Sequence, residues 1–271
     1  MAVKTEWIRY GTRSGYFARP EQATPPLPSI LVIQEAWGVN EHIEDVTRRF
    51  AASGYAALAP DLYSENGQRS VSLTRERISE IQNFISRLPP AIWGDQNARE
   101  VELNKLPEAD RSRIGETVGA VFGSSGRLAS YIAPLREAVR YLRSERPETK
   151  DQPVACVGFC MGGGLSALLA CEEPELSGAA VFYGTTPPPE KVALVNCPIY
   201  AFYGSADARV NAGIPAFEQG MKEVGKPFEY HLYDGAGHSF FNDTRGSYNV
   251  NAARDSFARA LSFFSQILTK S

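Results

Sequence analysis

The sequence predicts an α/β fold: a mostly parallel central sheet with helices on both faces. Three observations carry this expectation. Short, continuously apolar runs recur along the chain, as at 30–33 and 154–159, which is the pattern of strands buried on both faces. Between them lie stretches whose apolar residues fall three and four positions apart, as helices require. The 271 residues also suffice for one large core, so a single domain over 1–271 is expected. Strands separated by helices imply parallel pairing with crossovers on both faces.

Taken in order, residues 5–10 and 15–19 flank Gly11-Thr12-Arg13-Ser14 and predict an N-terminal hairpin. A loop rich in proline (Pro25, Pro26, Pro28) leads to the first buried strand, 30–33. A helix follows over about 40–53, with Ile43, Val46 and Phe50 on one face and Gly54 as its stop. Residues 55–62 form a second buried strand. From 64 to 125 the alternation breaks into a lid-like helical excursion, too long for a simple connection. Within it, Ile78, Ile81, Ile85 and Leu88 mark one amphipathic helix stopped by Pro89-Pro90. A polar stretch runs on through Arg113, and 115–125 reads as small and flexible. The alternation then resumes with a helix striped by Leu128, Ile132, Leu135, Val139 and Leu142. Strand 154–159 runs directly into a helix carrying Leu165, Leu168 and Leu169. Residues 179–183, 199–203 and 228–233 are the remaining strands. Phe257, Leu261, Phe264 and Leu268 mark the closing helix.

Composition removes several functional classes. The net charge is −3 and no basic block occurs, so neither nucleic acid nor an anionic membrane is an expected partner. The N-terminus shows no signal-peptide pattern, and no apolar run approaches the roughly 18 residues that span a bilayer. The chain therefore reads as cytoplasmic, or as a mature form whose signal has been removed. Four cysteines, at 156, 160, 171 and 197, are too few for a disulfide framework, and Cys156 and Cys197 read as small buried hydrophobes. With three histidines and no Cys-x-x-Cys or His-x-x-x-His pair, neither metal nor cofactor is expected.

The chemistry is concentrated at Gly158-Phe159-Cys160-Met161-Gly162, where a buried strand hands over to a helix. Such a turn exposes a nucleophile, and the flanking glycines avoid collisions that a β-carbon would cause. The helix N-terminus lowers a thiol pKa and offers N–H groups to an oxyanion. A structural cysteine is the plain alternative. A phosphate loop built on Gly162-Gly163-Gly164 is disfavoured, because no Gly-Lys-Ser/Thr follows. His238, in Gly235-Ala236-Gly237-His238, sits in a loop after the last strand and is the candidate base. His42, in a helix's first turn, and His231, within a strand, read as structural. Asp207 follows the strand between nucleophile and histidine and is the candidate acid, although it could instead cap the helix near Asn211. Asp234 is its rival.

With these residues in place, the chain resembles the dienelactone hydrolase family of α/β-hydrolases. The shared motifs are Gln34-Glu35-x-x-Gly38-x-Asn40, Ala59-Pro60-Asp61-Leu62-Tyr63, Gly158-Phe159-Cys160-Met161-Gly162-Gly163 and Ala236-Gly237-His238-Ser239-Phe240. The resemblance implies a Cys160–Asp207–His238 triad that cleaves a small-molecule ester or lactone through an acyl-enzyme. It also implies oxyanion donors at the N–H groups of Ala36 and Met161, and a Glu35 that interacts with the thiol. Glu35 would then hold the resting thiol protonated, unless it binds a nearby arginine and only supports its loop. Trp37, Trp93, Phe122, Asn242 and Arg245 are the substrate-facing candidates. Members that open dienelactones carry an arginine four residues beyond the histidine, where this chain has Asn242, with Arg245 close behind. That departure and the long excursion set the dienelactone itself apart from the ester-cleaving machinery. Two other functions suit the same residues: a thioesterase or carboxylesterase for a bulkier acyl group with 64–125 as lid, and a non-catalytic binding protein whose Cys160 senses oxidation. The oligomeric state is left open.

Overall fold

The apolar runs of the sequence become the middle of an eight-stranded sheet. In chain order its strands are β1 (Val3–Tyr10), β2 (Arg13–Pro20), β3 (Ser29–Ile33), β4 (Ala56–Pro60), β7 (Val154–Phe159), β8 (Leu176–Phe182), β9 (Ile199–Gly204) and β10 (Phe228–Tyr233). Two short strands, β5 (Ser64–Glu65) and β6 (Gln68–Arg69), form a separate hairpin. The computed structural model describes residues 2–89, 92, 95–123 and 127–269; Trp93 lies outside the described residues.

The spatial order is β1-β2-β4-β3-β7-β8-β9-β10. Strands β4 through β10 are parallel, and the β1–β2 hairpin adds antiparallel to β4. Alternate residues of each central strand serve opposite faces. Leu31, Ile33, Cys156 and Val181 join one core cluster with Leu135, Val139, Leu165 and Leu169, from helices α5 (Ile132–Arg140) and α6 (Met161–Glu172). Ile30, Val32, Val157, Phe159 and Phe182 join the other with Val46, Phe50 and Phe264, from α1 (Glu41–Ala52) and α8 (Val250–Ile267). Helix α7 (Ile214–Glu223) adds Phe217 and Met221 to the first face. Both faces of the sheet are thus covered, as parallel pairing demands.

Helix α1 begins where the sequence signals it. Asn40 caps the start by accepting from the Ile43 N–H at 3.2 Å, and Glu41 and Glu44 lie in the positive first turn. Among its described residues the excursion holds three α-helices: α2 (Arg75–Ser86), α3 (Gln96–Leu103) and α4 (Glu108–Phe122). Here the structure corrects the described part of the expected flexible stretch at 115–125, since α4 is helical through Phe122; residues 124 and 125 lie outside the described residues. Its Ile114, Val118 and Val121 form a third cluster with Ile81 and Leu103, and that cluster rests on Ala36, Trp37 and Met161. The excursion therefore lies over the C-terminal ends of β3 and β7, where ligands of open parallel sheets bind.

Candidate active site

Cys160 occupies the residue between β7 and α6, with φ 54° and ψ −113°. A non-glycine residue holds such a conformation only when its surroundings enforce it. The neighbours do so. A β-carbon at 158 would lie 1.8 Å from the Gly162 carbonyl oxygen, and one at 162 would lie 2.3 Å from the Ile33 carbonyl oxygen. The two glycines thus let α6 start directly against β3 and β7. Cys160 is partly exposed, whereas Cys156, Cys171 and Cys197 are buried. Burial also drives those three thiols up, Cys171 to about 11, Cys197 to about 12 and Cys156 further.

Three strand ends converge on this turn. His238 Nε2 lies 3.1 Å from Cys160 Sγ, and His238 Nδ1 lies 2.5 Å from Asp207 Oδ2. Asp207 sits at the cap position of the short helix Ala208–Asn211 but makes no capping bond, so its carboxylate is directed to the imidazole instead. Asp234 is turned away and accepts from Ser205 Oγ at 3.4 Å. His231 stays on β10 with its ring against Tyr233. Burial pushes the His238 pKa down, but the Cys160 charge and Asp207 outweigh it and carry the imidazole to about 10.

The Glu35 side chain is buried and is held from two directions. Asn242 Nδ2 donates to its Oε2 at 2.8 Å, and the Tyr183 hydroxyl donates to its Oε1 at 3.4 Å. Sγ pairs with His238 rather than with this carboxylate, so the expected thiol–Glu35 hydrogen bond is replaced by a carboxylate tied to neutral donors. The physical reason is that the two donors approach Glu35 in a buried setting where an unpaired charge is costly. Asn242, expected beside the substrate, is buried as well, and its Oδ1 accepts from the Thr244 N–H and hydroxyl at 3.0 and 2.7 Å. It thus supports Glu35 from the side of the His238 loop.

Ala36 and Trp37 form the turn after β3, closed by the Gly38 N–H on the Glu35 carbonyl at 3.1 Å. Tyr63 donates to the Ala36 carbonyl at 2.7 Å, which fixes that peptide. Among the described residues no acceptor is recorded for the N–H of Ala36 or of Met161. Trp37 stands between two partners: the Phe122 ring meets it edge-on at 5.7 Å, and the Arg245 guanidinium lies 4.9 Å from its ring centre. Arg245 Nη2 is buried and has no hydrogen-bond partner among the described residues. Burial lowers the Arg245 pKa, opposed by Glu35 and Cys160, which places the guanidinium within their field.

Tyr183 is the residue the sequence reading missed. It follows β8 directly, has φ 41°, and sets its ring edge-on to His238 at 5.2 Å. In sequence it looks like one more apolar residue at a strand end. Its only signal is that it shares the C-terminal sheet edge with Glu35 and Cys160. Among the described residues, no group of three or more His, Cys, Asp or Glu is arranged to hold a metal, and no helix is long and apolar enough to cross a membrane.

A Gly-flanked nucleophile turn on a mostly parallel sheet, with an acid and a histidine after later strands, defines the α/β-hydrolase class. The dienelactone hydrolase family model matches residues 14–268, and the chain belongs to that family. The "Putative carboxymethylenebutenolidase" of Saccharolobus solfataricus is 34% identical over 248 residues, 90% of this chain and 92% of its own. A crystal structure described as a "Putative Dienelactone Hydrolase" of Klebsiella pneumoniae has a TM-score of 0.70 at 26% identity, covering 98% of this chain and all of that one (100%). Esterase 2 of Thermogutta terrifontis shares the fold, with a TM-score of 0.62 at 19% identity over 98% of this chain and 96% of its own. The chain is a hydrolase of carboxylic esters or lactones.

Proposed function

We propose that hydrolysis proceeds through an acyl-enzyme on Cys160, with His238 as general base and acid and Asp207 orienting it. The continuous Sγ–Nε2 and Nδ1–Oδ2 contacts of 3.1 and 2.5 Å carry this reading. The imidazole holds the thiol proton while Sγ attacks the carbonyl carbon. The tetrahedral oxyanion is received by the N–H groups of Ala36 and Met161, which have no other acceptor among the described residues. As it collapses, the carbonyl–oxygen bond breaks and imidazolium protonates the departing alkoxide, leaving a thioester. His238 then takes a proton from water, whose oxygen attacks the thioester and releases the acid and the thiolate. A lactone differs only in that the leaving hydroxyl remains attached to the acyl group.

Glu35 acts at one remove: tied to Tyr183 and Asn242, it fixes the floor behind His238. Arg245, whose guanidinium lies over Trp37 and whose Nη2 has no partner among the described residues, turns to receive an acidic group on the substrate. Trp37 and Phe122 line the acyl side. The cover that α4 lays over Ala36 and Trp37 favours a small acyl group over a bulky one.

The deciding experiment is mass-resolved alkylation with turnover measured alongside. Iodoacetamide should label Cys160 alone, and inactivation should track the label. Cys160→Ala should lose turnover on a panel of small esters and lactones, since no other described thiol is accessible. A fully active Cys160→Ala protein would sink the proposal.

A further inference from the structure

His42 carries a buried imidazole that the reaction scheme leaves without a task. It lies in the first turn of α1 and is 2% exposed. Neither ring nitrogen has a hydrogen-bond partner among the described residues. Nitrogens left this way lose hydration without compensation, so a position that only filled space would be better served by an apolar ring. Nδ1 stands 3.6 Å from Asp243 Oδ1, just beyond hydrogen-bond length. The other Asp243 oxygen accepts from Arg49 at 2.7 Å, and Arg49 also binds Asp45 at 2.6 Å. The His42 ring touches Phe159 and Phe241, the residues immediately before Cys160 and Asn242.

The charged groups acting on His42 come from three elements: Glu35 after β3, Asp243 in the His238 loop, and Arg49 and Asp45 on α1. Phe159 and Phe241 bring no charge. Burial holds the imidazole below the ordinary histidine value, with Glu35 and Asp243 pulling the other way. The ring is therefore neutral at pH 7.

We propose that His42 is a positioning residue which, standing 3.6 Å from Asp243 with its ring against Phe159 and Phe241, sets the seating of the loop bearing His238 and Asn242. As a neutral ring it leaves Glu35 to Asn242 and Tyr183. Once protonated it closes on Asp243, which neighbours Asn242, and draws the loop from its working position. Activity then falls in acid through a group that never meets substrate. The proposal rests on the reading of Cys160 and His238 given above.

With three histidines in the chain, each imidazole can be followed by NMR. In the wild type, His42 should titrate below the ordinary range, and both kcat and the Cys160 alkylation rate should show a step at that pH. His42→Phe should remove the step and lower kcat about tenfold, the scale of a modest misplacement, with KM nearly unchanged. Asp243→Asn should shift the His42 titration and the step to lower pH, because one carboxylate favouring imidazolium is gone. A folded His42→Phe protein with wild-type kcat and pH profile would overturn the proposal. So would an unmoved His42 titration in Asp243→Asn, which decides the matter alone if His42→Phe does not fold. Failure of the Cys160 reading would show separately, as turnover retained by Cys160→Ala with the His42 titration unaffected.

Discussion

At the scale of single residues, the pH behaviour of His238 gives the most direct prediction. Its folded-state pKa is pushed up to about 10, above the 6.5 of a free imidazole. Its contribution to stability is therefore complete below about 6.5 and fades as pH rises through about 10. The melting temperature of the wild type, compared with His238→Ala, should lose its advantage over that interval. If His238 is the acid proposed for the leaving group, the same deprotonation should make kcat/KM fall at the alkaline end. Asp207→Asn should lower kcat by roughly a hundredfold or more, while Asp234→Asn should leave it unchanged. Arg245→Gln should raise KM about tenfold for esters bearing a carboxylate and spare their neutral analogues. Cys160, Asp207 and His238 were legible in sequence because each sits in a short pattern with a local cause: a Gly-flanked turn, or a loop directly after a strand. Tyr183 was not, because its role lies in a positive φ and a hydroxyl direction, neither of which leaves a trace in residue order. Nor was the transfer of Asn242 from substrate contact to support of Glu35, which depends on burial.

At the scale of elements, the turn between β7 and α6 is where the fold is least forgiving. Gly158→Ala and Gly162→Ala would each drive a β-carbon into backbone rather than into a movable side chain. Each should cost at least about 1–3 kcal/mol of stability in urea unfolding, and activity should fall further than stability because the Cys160 backbone must move. By contrast, Gly115 and Gly119 of α4 face open space, where an added β-carbon meets nothing within 4 Å. Gly115→Ala should therefore leave stability the same or higher by a few tenths of a kcal/mol to about 1 kcal/mol. These two glycines made 115–125 read as flexible. The helix forms because Ile114, Val118 and Val121 bury the opposite side, a gain that outweighs the weak helix propensity of glycine.

At the scale of the whole molecule, the parallel sheet and its two helical layers could be read from the alternation of apolar runs, but the order of the strands could not. Nothing in residue order says that β3 neighbours β7 across the long excursion, or that β4 lies between β2 and β3. Among the described residues the cluster joining the excursion to Ala36 has six buried members, five of them from the excursion, against two much larger clusters on the sheet faces. Local stability follows such burial. Amide exchange should consequently be fastest, among the helical regions, in α2 to α4 and slowest in β3 and β7. A slow-turnover ester or an acylated Cys160 should slow exchange in α4. Uniform protection across both regions would contradict the lid arrangement.

The contact between Cys160 and His238 joins residues 78 positions apart. Glu35 and Asn242 are separated by 207. During synthesis the thiol leaves the ribosome well before its imidazole, by about 4 to 16 s at the usual 5–20 residues per second. A nascent chain in that interval carries the Cys160 thiol without the imidazole that lies against it, and α8, which seals one sheet face, is still to come. On the reading proposed above, a chain cut short before residue 238 should keep a reactive thiol but show no ester turnover, because the proposed nucleophile has not yet met its base.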